Sequence, residues 1–97
     1  MEKLILLDFW AAWCGYCTEM DSILEELAEE FRDRLTVKKI NFDEDAETAQ
    51  KYRVMGIPTY VIINAEGEIL GRISGFRQKN VLQAFIQSCL EKTEPPL

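Results

Sequence analysis

The stretch Leu4-Ile-Leu-Leu-Asp-Phe-Trp-Ala-Ala-Trp-Cys-Gly-Tyr-Cys17 joins an apolar run of strand length to two cysteines at the start of a predicted helix. Residues 4–10 predict a strand buried on both faces. A cysteine in the first turn of a helix faces free backbone N–H groups and the positive end of the helix dipole, and both favour its thiolate. A second thiol three residues on lies one turn along the same face, so Cys14 and Cys17 can form a disulfide.

The rest of the chain predicts three more strands and two more helices after the first helix. That helix spans about 15–32, the strands lie near 35–42, 57–63 and 68–74, and the later helices cover about 43–52 and 78–91. Asn64-Ala-Glu-Gly67 predicts a hairpin loop, in which Gly67 supplies a positive φ.

The order β-α-β-α-β-β-α indicates an α/β fold with one mixed four-stranded sheet and helices on both faces. The first two strands are expected to be parallel through a right-handed crossover, and the last two antiparallel through the hairpin. The Cys14 turn then lies at the carboxyl end of a central strand, where open α/β sheets tend to place their sites.

Size and composition fit one domain over residues 1–92, followed by a tail at 93–97 that we expect to be disordered. No stretch has the roughly eighteen apolar residues of a membrane span, and the start is too short for a signal peptide. The net charge of −6 argues against a nucleic-acid surface, because phosphate binding needs clustered Lys and Arg.

The absence of histidine from the sequence excludes Cys–His nucleophilic catalysis and every zinc site that contains histidine. Three cysteines cannot supply a four-thiolate zinc site either, so no metal site is predicted. Cys89 lies on the apolar face of the last predicted helix, where we expect a free thiol to act as a small hydrophobic residue.

The chain resembles the thioredoxin family over nearly its whole length. The motifs that carry the resemblance are Leu7-Asp-Phe-Trp-Ala-Ala-Trp-Cys-Gly-Tyr-Cys17, Lys39-Ile-Asn-Phe-Asp43, Gly56-Ile-Pro-Thr59, Gly67-Glu68 and Gly75-Phe76. The resemblance implies a thioredoxin fold and a thiol–disulfide oxidoreductase.

Three features depart from the family pattern. Thioredoxins usually have an extra strand and helix before the Leu4 strand, so the chain looks like a trimmed core or a domain excised from something longer. Tyr16 stands where they usually have proline, and C-G-Y-C resembles the motif of bacterial periplasmic disulfide isomerases more than C-G-P-C. Ser22 stands where they usually have a proline that kinks the helix.

The resemblance implies four catalytic roles. Cys14 would be an exposed attacking thiolate, and Cys17 a more buried resolving thiol. Asp8 would be the general base; a carboxylate in an apolar run must either reach the surface, as a strand-end acid, or stay buried with a raised pKa. Lys39 would pair with Asp8, although an ordinary solvent-facing lysine on an outer strand explains it equally well.

The resemblance also implies a substrate-binding surface around Cys14. Pro58, for which the residues alone favour a trans bond, would be a cis-proline that turns the backbone of Ile57 toward an added substrate strand. An apolar collar around Cys14 suits extended protein chains better than a small charged thiol. The full predicted set is Trp13, Gly15, Tyr16, Ile57, Pro58, Gly75 and Phe76.

These residues favour a cytoplasmic protein-disulfide reductase with no cofactor beyond the Cys14–Cys17 disulfide. It would be recharged by an upstream disulfide reductase and act as a monomer, with a dimer through the outer strand as the alternative. A second hypothesis is an extracytoplasmic electron-relay or isomerase domain, periplasmic if a leader or larger chain has been removed. A third, from another class, is a non-catalytic module that binds a metal or partner at the thiols.

Overall fold

A computed structural model describes residues 3–93 of the protein. Its elements follow the predicted order: β1 (Leu4–Trp10), α1 (Gly15–Glu30), β2 (Leu35–Asn41), α2 (Ala46–Lys51), β3 (Thr59–Ile63), β4 (Ile69–Ser74) and α3 (Lys79–Glu91). Of the tail predicted from residue 93, only Thr93 is described, and its backbone N–H donates to the Leu90 carbonyl at 3.1 Å. Residues 94–97 lie outside the described part.

The four strands form one mixed sheet in the order β2-β1-β3-β4. Strand β1 runs parallel to β2 and antiparallel to β3, and β3 is antiparallel to β4. The predicted mixed sheet is therefore confirmed. Because β1 is an inner strand, the turn that carries Cys14 follows the carboxyl end of an inner strand rather than of an edge strand.

Helices cover both faces of the sheet, as predicted. Side chains alternate along β1, so Leu4 and Leu6 pack in the cluster that includes residues of α1 and α3, whereas Leu7 and Phe9 pack in the cluster that includes α2. This two-sided packing confirms that β1 is buried on both faces. It also anchors the residues just before the Cys14 turn, because each burial of a large apolar side chain contributes about 1.5–3 kcal/mol.

The predicted boundaries of α2, β3 and α1 differ most from the structure, and α2 spans Ala46–Lys51 rather than about 43–52. Strand β3 begins at Thr59 rather than Ile57, because residues 56–58 bend and the Thr59 Oγ1 donates to the Gly56 carbonyl at 2.7 Å. Helix α1 ends at Glu30 rather than near residue 32, where the chain turns into β2. The predicted hairpin loop is confirmed: Gly67 has φ 85° and donates to the Asn64 carbonyl at 3.0 Å.

Helix α3 packs on β4 through a close approach at Gly71. A Cβ at this position would lie 2.9 Å from Phe85 Cε1 and 3.0 Å from Cys89 Sγ. Leu82 and Ile86 fix α3 in the core, so the helix has little freedom to move away. We expect Gly71→Ala to lower the free energy of unfolding by about 1–2 kcal/mol, measured by urea denaturation of the oxidised protein.

The control for this variant is Gly56→Ala. A Cβ at Gly56 would have no neighbour within 4 Å, and Gly56 is not in the positive-φ region. Its unfolding free energy should stay within about 0.5 kcal/mol of the parent. Equal stability of the two variants would contradict the close approach of α3 to β4.

Candidate active site

Cys14 and Cys17 form a disulfide at the amino end of α1, with their Cα atoms 5.3 Å apart. Cys14 is the N-cap residue of the helix, and its Sγ accepts a hydrogen bond from the Cys17 backbone N–H at 3.1 Å. An N–H at this position is one of the helix's unsatisfied donors. In the dithiol form it can stabilise a Cys14 thiolate, which is the reactive form of the thiol.

The two cysteines are nearly equally buried, with 6% of Cys14 and 5% of Cys17 exposed. Both pack with Ala11, and the partly buried Trp10 and Ile57 lie against them. The expectation of an exposed Cys14 beside a more buried Cys17 is therefore wrong for the oxidised protein. The physical reason is that these neighbours enclose the whole disulfide, so the substrate must approach from its rim.

Asp8 is buried on β1, with 3% of the residue exposed. Of the two alternatives that the sequence left for this carboxylate, the structure has the buried one. Burial raises its pKa from 3.8 to about 6, because desolvation penalises the charged form. The Lys39 ammonium acts in the opposite direction, and the Asp21 carboxylate adds to the rise. The Asp8 carboxyl therefore ionises at a higher pH than an exposed aspartate does.

Lys39 is the neighbour of Asp8 in the parallel register of β1 and β2. Its ammonium lies 3.2 Å from Asp21 Oδ1 and 5.9 Å from the centroid of the Trp10 ring. Within residues 3–93 no ion pair joins Lys39 to Asp8. The sequence reasoning missed Asp21, although its position four residues after Cys17 places it on the same face of α1.

The segment before β3 is held against the end of β4. The Ile57–Pro58 peptide bond is cis, as the family resemblance implied. The Pro58 carbonyl accepts a hydrogen bond from the Gly75 N–H at 2.8 Å, and Thr59 Oγ1 lies 3.0 Å from Ser74 Oγ. These contacts fix the position of Ile57. Its side chain packs against the disulfide from the side opposite the Cys14 turn.

Exposed aromatic side chains surround this site. Trp13 is 66% exposed and Tyr16 61% exposed, and the Tyr16 ring lies 6.0 Å from that of Phe76. The Trp13 indole N–H donates to Asp43 Oδ2 at 2.8 Å, which fixes the orientation of its ring. Met55, two residues before Ile57, is 93% exposed.

The thioredoxin family model matches residues 1–88 of the chain. The chain belongs to the thioredoxin family. It is 44% identical over 89 residues to thioredoxin of Bacillus subtilis (strain 168), which covers 92% of this chain and 85% of the relative. Thioredoxin of Alicyclobacillus acidocaldarius subsp. acidocaldarius is 40% identical over 90 residues, 93% of this chain and 85% of the relative.

Solved structures show the same relationship. Deadhead, a germline-specific thioredoxin of Drosophila melanogaster, superposes with a TM-score of 0.82 at 34% sequence identity, over 89% of this chain and 80% of that one. The thioredoxin fold predicted from the sequence is confirmed. With the family's cysteine pair in place, this member is a thiol–disulfide oxidoreductase, a protein-disulfide reductase whose substrates are protein disulfides.

The remaining predictions from the sequence concern Cys89, metal binding and membrane-spanning helices. Cys89 is buried in the core cluster with Leu82 and Ile86, and burial raises the pKa of its thiol, so it packs as the predicted small hydrophobic residue. In the described part of the thioredoxin domain, no three His, Cys, Asp or Glu side chains are grouped to hold a metal ion. None of its described helices is both long and apolar enough to cross a membrane.

Proposed function

We propose that the protein reduces disulfides in extended protein segments, with the Cys14–Cys17 pair as its sole redox group and no bound cofactor. One observation carries this proposal. The disulfide lies at a helix amino terminus, with the buried carboxyl of Asp8 on the neighbouring strand and exposed aromatic rings at its rim. A thiolate site, a proton acceptor and an apolar docking surface are the three components that the reaction needs.

In the first step, the Cys14 thiolate attacks one sulfur of a substrate disulfide. A bond forms between Cys14 and that sulfur, and the second substrate sulfur leaves as a thiolate that takes a proton from solvent. Support comes from the Cys17 backbone N–H, which donates to Cys14 Sγ and favours its charged form.

In the second step, the Cys17 thiol gives its proton to Asp8 and attacks Cys14 Sγ. The Cys14–Cys17 disulfide forms, the remaining substrate sulfur leaves as a thiolate, and two electrons have passed to the substrate. The burial of Asp8 supports this role, because a carboxyl with a pKa of about 6 accepts a proton near neutral pH more readily than an exposed one. Lys39 would tune that pKa.

The substrate would bind across the rim formed by Trp13, Tyr16 and Phe76, with Ile57 on the opposite side, held in place by the buried Pro58. Pairing of β3 with β1 begins only at Thr59, so the backbone of residues 56–58 lies outside the sheet ladder. An extended substrate segment can add there as a short strand, which recognises backbone rather than sequence. Gly15 and Gly75 would let that segment approach, because neither carries a side chain.

We further propose that the protein works in the cytoplasm as a monomer and is recharged by an upstream disulfide reductase. The bacterial thioredoxins among its relatives support this setting. Strand β2 is an outer strand, and Lys38 and Lys39 on it disfavour pairing with a second copy. A net charge of −6 adds repulsion between copies.

The test is the equilibrium reduction potential of the Cys14–Cys17 pair, together with the rate of insulin reduction. We expect a potential near about −270 mV and rapid insulin reduction in the presence of dithiothreitol. A potential of about −180 to −120 mV would instead support an isomerase or oxidant in an oxidising compartment, with Tyr16 as the cause. The matched variant is Tyr16→Pro, which restores the usual family residue and should then lower the potential.

A different result would support the non-catalytic hypothesis. If no reversible dithiol–disulfide couple is found in glutathione or dithiothreitol buffers, the oxidoreductase mechanism fails for this chain. A module that binds partners at the thiols would then be the better account.

A further inference from the structure

We propose that Asp21 is a positioning residue that holds the Lys39 ammonium away from Asp8 and thereby sets the pH range in which Asp8 accepts the Cys17 proton. The inference rests on the proposed role of Asp8, and it concerns a residue outside the motifs of the family resemblance. Three observations carry it: a row of polar side chains across the sheet, the helix that covers that row, and the ion pair at its end.

The row consists of Lys39, Asp8 and Tyr60. Asp8 is the register partner of Lys39 on β2 and of Tyr60 on β3. Residues directly opposite in a sheet present their side chains on the same face. Tyr60 packs in the core cluster that includes Met20 of α1, so this is the face that α1 covers. Asp8 thus has a cation on one side and a phenol on the other.

Helix α1 contributes Cys17 and Asp21, which are four residues apart and share one face of the helix. Cys17 is buried, whereas the Asp21 side chain is half-exposed and reaches the outer end of the row. There it binds the Lys39 ammonium at 3.2 Å, and the Trp10 ring lies 5.9 Å from the same ammonium. Lys39 therefore has its contacts at the surface, on the side of the row away from Tyr60.

The charges around Asp8 come from three elements. Lys39 on β2 lowers the Asp8 pKa, and Asp21 on α1 raises it. On β3, burial and then the charges of Asp8 and Asp21 raise the Tyr60 pKa, so the phenol stays neutral through the working pH range. Cys17, on the same face of α1 as Asp21, is the proton donor of the proposed reaction. Asp8 is thus the group of this row that titrates near neutral pH.

Asp21 raises the pKa of Asp8 in two ways. Its own negative charge disfavours a second carboxylate nearby, and its bond to Lys39 keeps the compensating cation at a distance. If Asp21 loses its charge, Lys39 is free to turn toward Asp8. Asp8 then ionises at lower pH, so the reaction continues to lower pH. Because Asp8 is also a weaker base, the maximal rate that the reaction reaches at high pH falls.

The experiment is a single-turnover reduction of an aromatic disulfide by the fully reduced protein, followed from pH 5 to 9. The first thiol released reports attack by Cys14, and the second reports resolution by Cys17. The rate of the second phase should fall at low pH as Asp8 becomes protonated, and we call this part of the pH profile the acid limb. For Asp21→Asn we expect the midpoint of the acid limb to shift to lower pH by roughly half to one pH unit. Its plateau should fall about twofold to threefold. Asp21→Glu keeps the charge and should keep the profile.

Two further variants separate positioning from a simple charge effect. Lys39→Met should move the limb to higher pH, and in that background Asp21→Asn should give a smaller shift, which is the part that comes from the Asp21 charge alone. A full shift by Asp21→Asn without Lys39 would overturn the positioning role. The control is Glu26→Gln, which removes an ion pair of α1 with Lys79 (3.8 Å) outside the row and should leave the limb in place.

The carboxyl pKa of Asp8, read by carbon-13 NMR, separates this inference from the proposed function. A pKa that Asp21→Asn lowers more with Lys39 present than in the Lys39→Met background supports positioning whatever the rates do, and an unchanged pKa overturns it. If instead the acid limb survives in Asp8→Asn, Asp8 is not the base and the proposed second step fails. The two failures are therefore distinguishable.

Discussion

Cys17→Ser is expected to convert the protein into a covalent trap that retains substrates as mixed disulfides on Cys14. Attack by Cys14 should proceed, because its thiolate depends on the helix terminus and a backbone N–H rather than on the Cys17 side chain. The second step then has no thiol. Insulin reduction should fall on the order of 10³-fold, as for loss of a covalent catalytic group. Non-reducing electrophoresis and intact mass would detect the complex.

The matched control is Cys89→Ala, which removes the third thiol. Cys89 lies in the core with Leu82 and Ile86 and is buried, so it cannot replace Cys17 in the second step. This variant should reduce insulin at the parent rate, although it loses some packing. Turnover by Cys17→Ser close to the parent rate would contradict the two-thiol mechanism and indicate resolution by external thiols.

Asp8→Asn is expected to stabilise the oxidised protein at neutral pH while slowing the release of reduced substrate. The folded protein binds the Asp8 proton more tightly than the unfolded chain, with a pKa of about 6 against 3.8. Between these values the folded state holds more protons, so its stability falls as the pH rises from about 4 to about 6. Over this pH range the free energy of unfolding falls by about 3 kcal/mol in total.

Urea denaturation at pH 4 and pH 8 measures this effect. Asp8→Asn should exceed the parent in unfolding free energy by about 3 kcal/mol at pH 8, and the two should be nearly equal at pH 4. Resolution should slow on the order of 10²-fold in the same variant, the usual contribution of a general base. An equal difference at both pH values would mean that the gain comes from packing rather than from the buried charge.

A carboxylate with the opposite shift provides the control. Asp45 caps α2 and accepts a hydrogen bond from the Thr48 N–H at 3.1 Å, and its pKa is lowered by its hydrogen bonds to the Thr48 side chain and backbone. It therefore stabilises the fold above the unfolded pKa, and this contribution is lost as the pH falls. Asp45→Ala should destabilise the protein at pH 8, in contrast to Asp8→Asn.

The order of elements could be predicted because each carries its own periodic signal. The Leu4–Trp10 run and the helical spacing after Gly15 depend on local sequence alone. The position of Cys14 at the helix start also follows from local sequence, and so does the unusual place of Asp8 in an apolar strand. These features therefore locate the centre of the candidate site from local sequence alone.

Other parts of the site depend on contacts between distant residues, and local sequence does not determine those. Lys39 could have turned to Asp8 or to the surface, and the choice is made by Asp21, eighteen residues away. The burial of Cys14 depends on Ile57, which comes from another loop. Strand β3 begins at Thr59, later than predicted, because hydrogen bonds of the Thr59 side chain with Gly56 and Ser74 bend the preceding segment.

Tyr16 is 61% exposed, and among the described residues it belongs to none of the buried clusters that hold the sheet and helices together. Substitutions at this position therefore cost the fold little, while they change the residue between the two reactive sulfurs. Selection can adjust the redox behaviour of such a domain separately from its thermodynamic stability. A lineage could thus move the same scaffold between reducing and oxidising roles through single exposed substitutions, without passing through unstable intermediates.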